Sequence, residues 1–113
     1  MNQSIQVENQ GAVRFIKLNR PEAFNSFDMK MGRQFQTELD ASATDDSVRC
    51  IVITGMGRAF CAGQDLKEVT APEAPNFKVI VEQTYNTSIR KMCSMRKPIV
   101  AAVNGVAAGA GAS

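Results

Sequence analysis

Histidine is missing from the 113-residue chain altogether. That removes Ser-His and Cys-His arrangements and the commonest general base, so proton transfer has to fall to carboxylates, lysine, tyrosine, cysteine or backbone donors. Cysteine is scarce. Cys50, Cys61 and Cys93 are odd in number and form no C-x-x-C pair, which argues against a disulfide framework or a zinc site and points to reduced thiols in a cytoplasmic protein. An excess of either charge is missing too: 13 Lys and Arg against 11 Asp and Glu give +2. With no basic stripe to neutralise a run of phosphates, no nucleic-acid partner is expected. No stretch approaches the ~20 apolar residues that span a bilayer. Met1-Asn2-Gln3-Ser4 lacks the basic-then-apolar pattern of a leader, so no membrane partner is expected and the chain reads as soluble and intracellular. Internal repeats and heptad arrays are likewise absent.

What is present is an ordinary globular composition, 44% hydrophobic and 21% charged, enough for one domain over residues 1–113 and too little for two. Ile5 to Glu8 and Val13 to Leu18 are β-prone runs around the turn formers Asn9-Gln10-Gly11, which predicts a hairpin. Asn19-Arg20-Pro21 interrupts the pattern, because proline lacks an N–H and restricts the residue before it, and a loop through Ser26 follows. From Asp28 as N-cap, Met31, Phe35, Leu39 and Ala43 fall four apart on one face of an amphipathic helix. Val48 opens the next strand; its run Cys50 to Thr54 is expected to be covered on both faces and to pair in parallel with Val13 to Leu18. Thr70 to Pro75 reads as a surface loop, and Leu66 to Phe77 as a mobile region. Phe77, Ile80, Val81, Thr84, Tyr85, Ser88, Ile89 and Met92 recur at helical spacing from about Asn76, with Arg90, Lys91, Arg96 and Lys97 near the end that favours cations. Pro98 stops that helix, Ile99 to Val103 reads as another buried strand, and Asn104-Gly105 opens a turn.

Two loops carry the chemistry. Gly57 to Leu66 and Val103 to Gly111 each follow a strand and contain glycines and small residues that let the backbone itself approach a ligand. Backbone N–H groups presented in this way can donate to a developing negative charge without any titrating side chain. Glycine-rich turns after strands are as a rule only tight connections, so neither loop argues for function alone.

Together they match a known pattern. Arg58-Ala59-Phe60-Cys61-Ala62-Gly63-Gln64-Asp65-Leu66 resembles the first motif of the crotonase superfamily of enoyl-CoA hydratases and isomerases. Lys97 to Gly105, followed by Gly109-Ala110-Gly111, resembles its second, and Asn19-Arg20-Pro21-Glu22-Ala23-Phe24-Asn25-Ser26 its N-terminal loop. The resemblance runs through essentially the whole chain. It implies an α/β fold, the N-terminal part of a crotonase-type ββα spiral (ClpP/crotonase-like), with the C-terminal half of the domain absent from this sequence. It also implies that the N–H groups of Gln64 and Ala110 form an oxyanion hole for a thioester. Ala23, Phe24, Ala62, Gly63, Asp65, Leu66 and Gly109 would line the acyl-CoA site. Coenzyme A is then part of the substrate; no separate cofactor and no metal is expected, and the complete protein is expected to be a homo-oligomer, a trimer or hexamer.

The position where hydratases of this superfamily carry a glutamate is Ser113, and the string from Gly105 to Ala112 most resembles the phenylacetate-pathway epoxyphenylacetyl-CoA isomerases and dienoyl-type isomerases. The implied reaction is isomerisation of an enoyl- or ring-epoxide acyl-CoA through an enolate, with the acid that moves the proton expected beyond Ser113. An enoyl-CoA hydratase is one alternative, and a non-catalytic truncated acyl-CoA-binding or scaffold protein another. These 113 residues alone are expected to be inactive, because oxyanion donors leave the acid–base step unserved. Of the remaining candidates, Asp65 is expected to cap the turn after it. Cys61 has no neighbouring cation cluster and reads as packing, and Glu38, Asp45 and Asp46 read as solvated acids at a helix end. Tyr85 reads as core or as a side wall of the acyl pocket.

Overall fold

A computed structural model describes residues 3–74 and 76–113; Met1, Asn2 and Pro75, on which parts of the leader and loop readings fall, lie outside the described residues. Strand β1 (Ile5–Gln10) pairs antiparallel with β2 (Val13–Leu18) across a two-residue turn in which Gly11 takes a φ of 60°. Helix α1 (Met29–Thr44) then returns the chain so that β3 (Cys50–Gly55) runs parallel to β2, as expected from the strand–helix–strand order. Strand β5 (Ile99–Ala102) adds in parallel to β3, completing a four-stranded sheet of order β1-β2-β3-β5.

Asp28 caps α1 by accepting the Met31 N–H at 2.8 Å. Met31, Phe35 and Leu39 are buried as expected, but the last core-facing position is Ser42 and Ala43 is exposed. A strict spacing of four drifts by about 40° per step in a helix of 3.6 residues per turn, so eleven residues after Met31 the stripe has passed to Ser42. The core joins this face to Ile16 and Leu18 of β2, Ile51 and Ile53 of β3, and Val48, Phe60 and Cys61. Each such aliphatic side chain taken fully from water contributes about 2 kcal/mol. Arg14 reaches Asp45 at 2.8 Å across the end of α1. Lys97 caps that same end, donating to Ser42 O at 2.7 Å and Asp45 O at 2.6 Å, rather than serving its own helix.

Several expectations are corrected. Strand β3 begins at Cys50, not Val48, and is fully buried on one face only, through Ile51 and Ile53, while Val52 and Thr54 are half-buried. The run from Ile99 is not a buried strand. It ends at Ala102 and lies at the sheet edge, with Val100 50% and Val103 58% exposed, because among the described residues nothing packs over its outer face. The long helix after Asn76 is continuous but not uniform. It comprises α3 (Phe77–Ile80), a π-helical stretch (Val81–Asn86) and α4 (Thr87–Ser94). The extra residue per turn leaves Ile80, Thr84 and Ser88 as its buried stripe, whereas Phe77 and Ile89 face outward. Within the stretch from Leu66 to Phe77 there is a short helix, α2 (Leu66–Thr70). The two loops read as carrying chemistry each contain a strand: β4 (Ala59–Cys61) pairs in parallel with β6 (Val106–Ala107) in a second small sheet.

Candidate functional site

The β4/β6 pairing brings together two segments more than forty residues apart in sequence, and the side chains of Asn25 and Asn104 lock it. Asn25 is fully buried, with φ 58°. Its oxygen accepts the Arg20 N–H at 2.7 Å, and its amide donates to Met56 O at 3.0 Å and Ala59 O at 2.9 Å. Asn104 acts from the opposite side: its oxygen accepts the Gly55 N–H at 2.9 Å, and its amide donates to Gly57 O at 3.1 Å and Ala59 O at 3.2 Å. The Ala59 carbonyl therefore receives both amides.

The N-terminal loop is zipped onto the first motif. Ala62 N donates to Phe24 O at 3.0 Å, Phe27 N to Gly63 O at 2.7 Å, and Asp65 N to Phe27 O at 2.8 Å. Arg20 reinforces this contact through its guanidinium, which donates to Ser26 O at 2.6 Å and to Asp65 at 2.8 Å. Asp65 also caps α2, accepting the Lys67 N–H at 2.9 Å. Burial pushes the Asp65 carboxyl up, but the Arg20 hydrogen bond, the Lys67 and Glu68 amides and the Arg20 charge outweigh it and hold the group below the ordinary aspartate range.

The second motif lies against the first at backbone distance. Ala108 N donates to Cys61 O at 3.0 Å, and a Cβ on Gly111 would collide with that same carbonyl. Gly63, with φ 104°, is a further close approach: a Cβ there would stand 3.0 Å from Ala108 O and 3.4 Å from Ala110 N. The peptide carrying Gln64 thus sits beside the peptide carrying Ala110. Among the described residues, neither Gln64 N nor Ala110 N donates a hydrogen bond to the protein, although the next amides along the chain, Asp65 N and Gly111 N, both do. Ala110 lies in a short 3-10 turn, Gly109–Gly111, that begins with Gly109 at φ 55°.

The structure brings Ala62, Gly63, Gln64, Asp65, Phe24, Gly109 and Ala110 into one neighbourhood, with Ala23 in the preceding 3-10 turn. Phe24 and Leu66 project from it, 55% and 72% exposed. Cys61 is buried within it, and burial pushes its thiol up against the smaller opposing effect of the Gly63 N–H, so it stays protonated and packs. A cavity of about 430 Å³ opens beside Asp65, but four carboxylates, Asp28, Asp65, Glu68 and Glu73, line it against the single cation Lys67. That charge balance disfavours a polyphosphate there. Among the described residues no group of three or more His, Cys, Asp or Glu could hold a metal ion, and no helix is long and apolar enough to cross a membrane.

Sequence reasoning missed a side-chain relay at this site. Tyr85, from the π-helical stretch, donates its hydroxyl to Gln64 Oε1. Gln64 Nε2 donates to Glu68 Oε1 at 3.3 Å, and Glu68 Oε2 accepts the Met29 N–H at the start of α1 at 2.9 Å. The four-residue spacing of Gln64 and Glu68 around the N-cap Asp65 was the available signal for the second link. Nothing local predicted the first.

Comparison with known proteins bears on the family and the fold. The family model described as enoyl-CoA hydratase/isomerase matches residues 8–113. The 1,2-epoxyphenylacetyl-CoA isomerase of Escherichia coli is 47% identical over 105 residues, covering 89% of this chain and 40% of that protein. A probable enoyl-CoA hydratase of Rhodobacter capsulatus is 37% identical over 110 residues, covering 97% of this chain and 42% of that protein. The crystal structure of an enoyl-CoA hydratase from Bacillus anthracis superposes with a TM-score of 0.90 at 32% identity, covering 96% of this chain and 43% of that one. This chain thus spans roughly two fifths of the length of these relatives. On the match across residues 8–113 and these identities, the chain belongs to the enoyl-CoA hydratase/isomerase family and has the N-terminal part of the crotonase fold.

Proposed function

We propose that the protein binds an acyl-CoA thioester and that the N–H groups of Gln64 and Ala110 hold the thioester oxygen while an enolate forms, in the isomerisation of an enoyl- or ring-epoxide acyl-CoA. The observation that carries this reading is the pair of adjacent backbone donors left without a protein acceptor among the described residues, on peptides otherwise tied in place. Donors fixed before the reaction stabilise developing charge without reorganising, and each is worth about 3 kcal/mol in a dry site. The exposed Phe24 and Leu66, with Ala23, Ala62, Gly63, Asp65 and Gly109, then form the acyl-CoA side of the site.

The enolate needs a partner that moves the proton. Glu68 does not fill that role, because both its oxygens are engaged, by Gln64 and by the Met29 N–H. The acid is expected beyond Ser113, in the length that the relatives have and this chain does not span. Isomerisation is favoured over hydration by the greater identity to the Escherichia coli isomerase, 47% against 37% for the Rhodobacter hydratase, and by a hydroxyl at Ser113. The test follows double-bond migration in an enoyl-CoA and, in parallel, water addition to crotonyl-CoA, using the protein at its full natural length. Migration outpacing hydration is the expected result. Faster hydration would reverse the order of the two activities, and thioester binding without either reaction would reduce the protein to an acyl-CoA binder.

A further inference from the structure

We propose that Tyr85 is a positioning residue: its hydroxyl, through the side chain of Gln64, sets the direction of the Gln64 N–H toward the thioester oxygen. The proposal rests on the oxyanion reading above and adds to it a residue outside the glycine loops. Gln64 is held at three points. Phe27 grips the backbone on both sides of it, accepting from Asp65 N at 2.8 Å and donating to Gly63 O at 2.7 Å. Tyr85 takes hold of its side chain from above, and Glu68 from the far side. The Gln64 N–H shares a planar peptide with the Gly63 carbonyl, so the Phe27 clamp holds that plane from its carbonyl end, and the side-chain clamp holds it from the other end by restraining the Gln64 Cα, so that the plane does not tilt about the Gly63 oxygen.

Tyr85 is itself held. Its half-buried ring lies 6.1 Å from that of Phe27, which meets Phe35 of the core edge-on at 5.8 Å. The helix that carries it is π-wound at this point, and the wider turn leaves carbonyls to be satisfied from outside. Gln36 of α1 reaches two of them, its amide donating to Gln83 O and, at 3.2 Å, to Thr84 O, which also accepts the Ser88 hydroxyl at 2.7 Å. Gly32 of α1 has no Cβ where Thr84 packs; one would stand 2.6 Å from the Thr84 methyl. The π turn is therefore built into the contact with α1, and it carries the tyrosine whose hydroxyl reaches Gln64. Burial above all, with the Glu68 charge acting in the same direction, raises the phenol's affinity for its proton, so it remains a donor at neutral pH.

The test uses the protein at its full natural length with hexanoyl-CoA labelled with ¹³C at the thioester carbonyl, read by NMR, together with steady-state isomerisation kinetics. The wild type is expected to shift the bound carbonyl resonance relative to free thioester. Tyr85→Phe, which keeps the ring and its packing, is expected to lose most of that shift and to lower kcat about tenfold with KM changed less than about threefold, the signature of lost alignment rather than lost binding. Gln64→Ala, which removes the Glu68 contact as well, is expected to lose at least as much, and the double variant no more than Gln64→Ala alone, because the tyrosine acts only through that side chain. A wild-type protein that binds the thioester without moving its carbonyl resonance would overturn the oxyanion reading, and this proposal with it. A wild-type shift retained in Tyr85→Phe, or losses that simply add in the double variant, would overturn the positioning role alone.

Discussion

Replacing Asn25 is the most direct probe of how the site is held together. Asn25→Ala removes three hydrogen bonds from a side chain with no solvent exposure. The Ala59 carbonyl keeps its second donor, Asn104, at 3.2 Å, so the groups left stranded are the Arg20 N–H and the Met56 carbonyl. An unsatisfied buried polar group costs about 1–3 kcal/mol, and both hosts are only half-buried, which places the pair near about 3 kcal/mol. Asn25 has a φ of 58°, where asparagine is tolerated and alanine pays about 1 kcal/mol more. The expected destabilisation is therefore about 4 kcal/mol for Asn25→Ala and about 3 kcal/mol for Asn25→Gly, which suffers the same losses without the backbone strain. Urea unfolding of the full-length protein followed by circular dichroism reads this as a midpoint lowered by about 2 M for alanine, taking a slope of about 2 kcal/mol per molar. An alanine variant within about 1 kcal/mol of wild type, or a glycine variant no milder than the alanine one, would refute the reasoning.

Other outcomes follow from the same geometry. Gly63→Ala places a Cβ 3.0 Å from Ala108 O and forces an L residue to φ 104°, so it should reduce thioester binding at least about tenfold, measured by calorimetry with a saturated acyl-CoA; unchanged binding would detach Gly63 from the site. The Asp65 carboxyl has a lower pKa folded than unfolded, so its contribution to stability is fully present above the unfolded value of about 3.9 and is lost as pH falls through the folded one. Urea midpoints measured from neutral to acid pH should fall more gently at the acid end for Asp65→Asn than for wild type, and parallel curves would contradict the assignment. Exposed Cys93 should be alkylated by iodoacetamide well before Cys61, whose thiol is buried and pushed up, as read by peptide mass; the reverse order would mean that β4 opens readily.

The sequence was most legible where a local pattern has one physical solution. The turn at Gly11 between β-prone runs gave the hairpin, Asp28 before an apolar stripe gave the start of α1, and Asp65 marked the cap of α2 although the helix after it went unread. The resemblance in three motifs gave the family and the fold. Illegible were features that depend on partners distant in sequence. Strands β4 and β6 have only three and two residues, too short for a periodic signal, and exist because each supplies the other's ladder. The π stretch packs on Gly32 and takes hydrogen bonds from Gln36, partners on another helix that Val81–Asn86 do not disclose. The edge position of β5 could not be read from Ile99 to Val103, since an apolar run looks the same whether or not a second face is covered.

The doubly accepting Ala59 carbonyl bears on the order in which the chain assembles. Its two donors lie 34 residues before and 45 residues after it in sequence, so neither bond forms until long loops have closed. Closing such loops costs chain entropy that is returned only when the contacts at the far end are made. The hairpin of β1 and β2 needs no such closure. The site is thus placed to consolidate late in folding and to open early in unfolding. Amide exchange in the β4–β6 ladder should run ahead of exchange in the β1–β2 ladder, and equal protection of the two would show that the junction closes with the hairpin rather than after it.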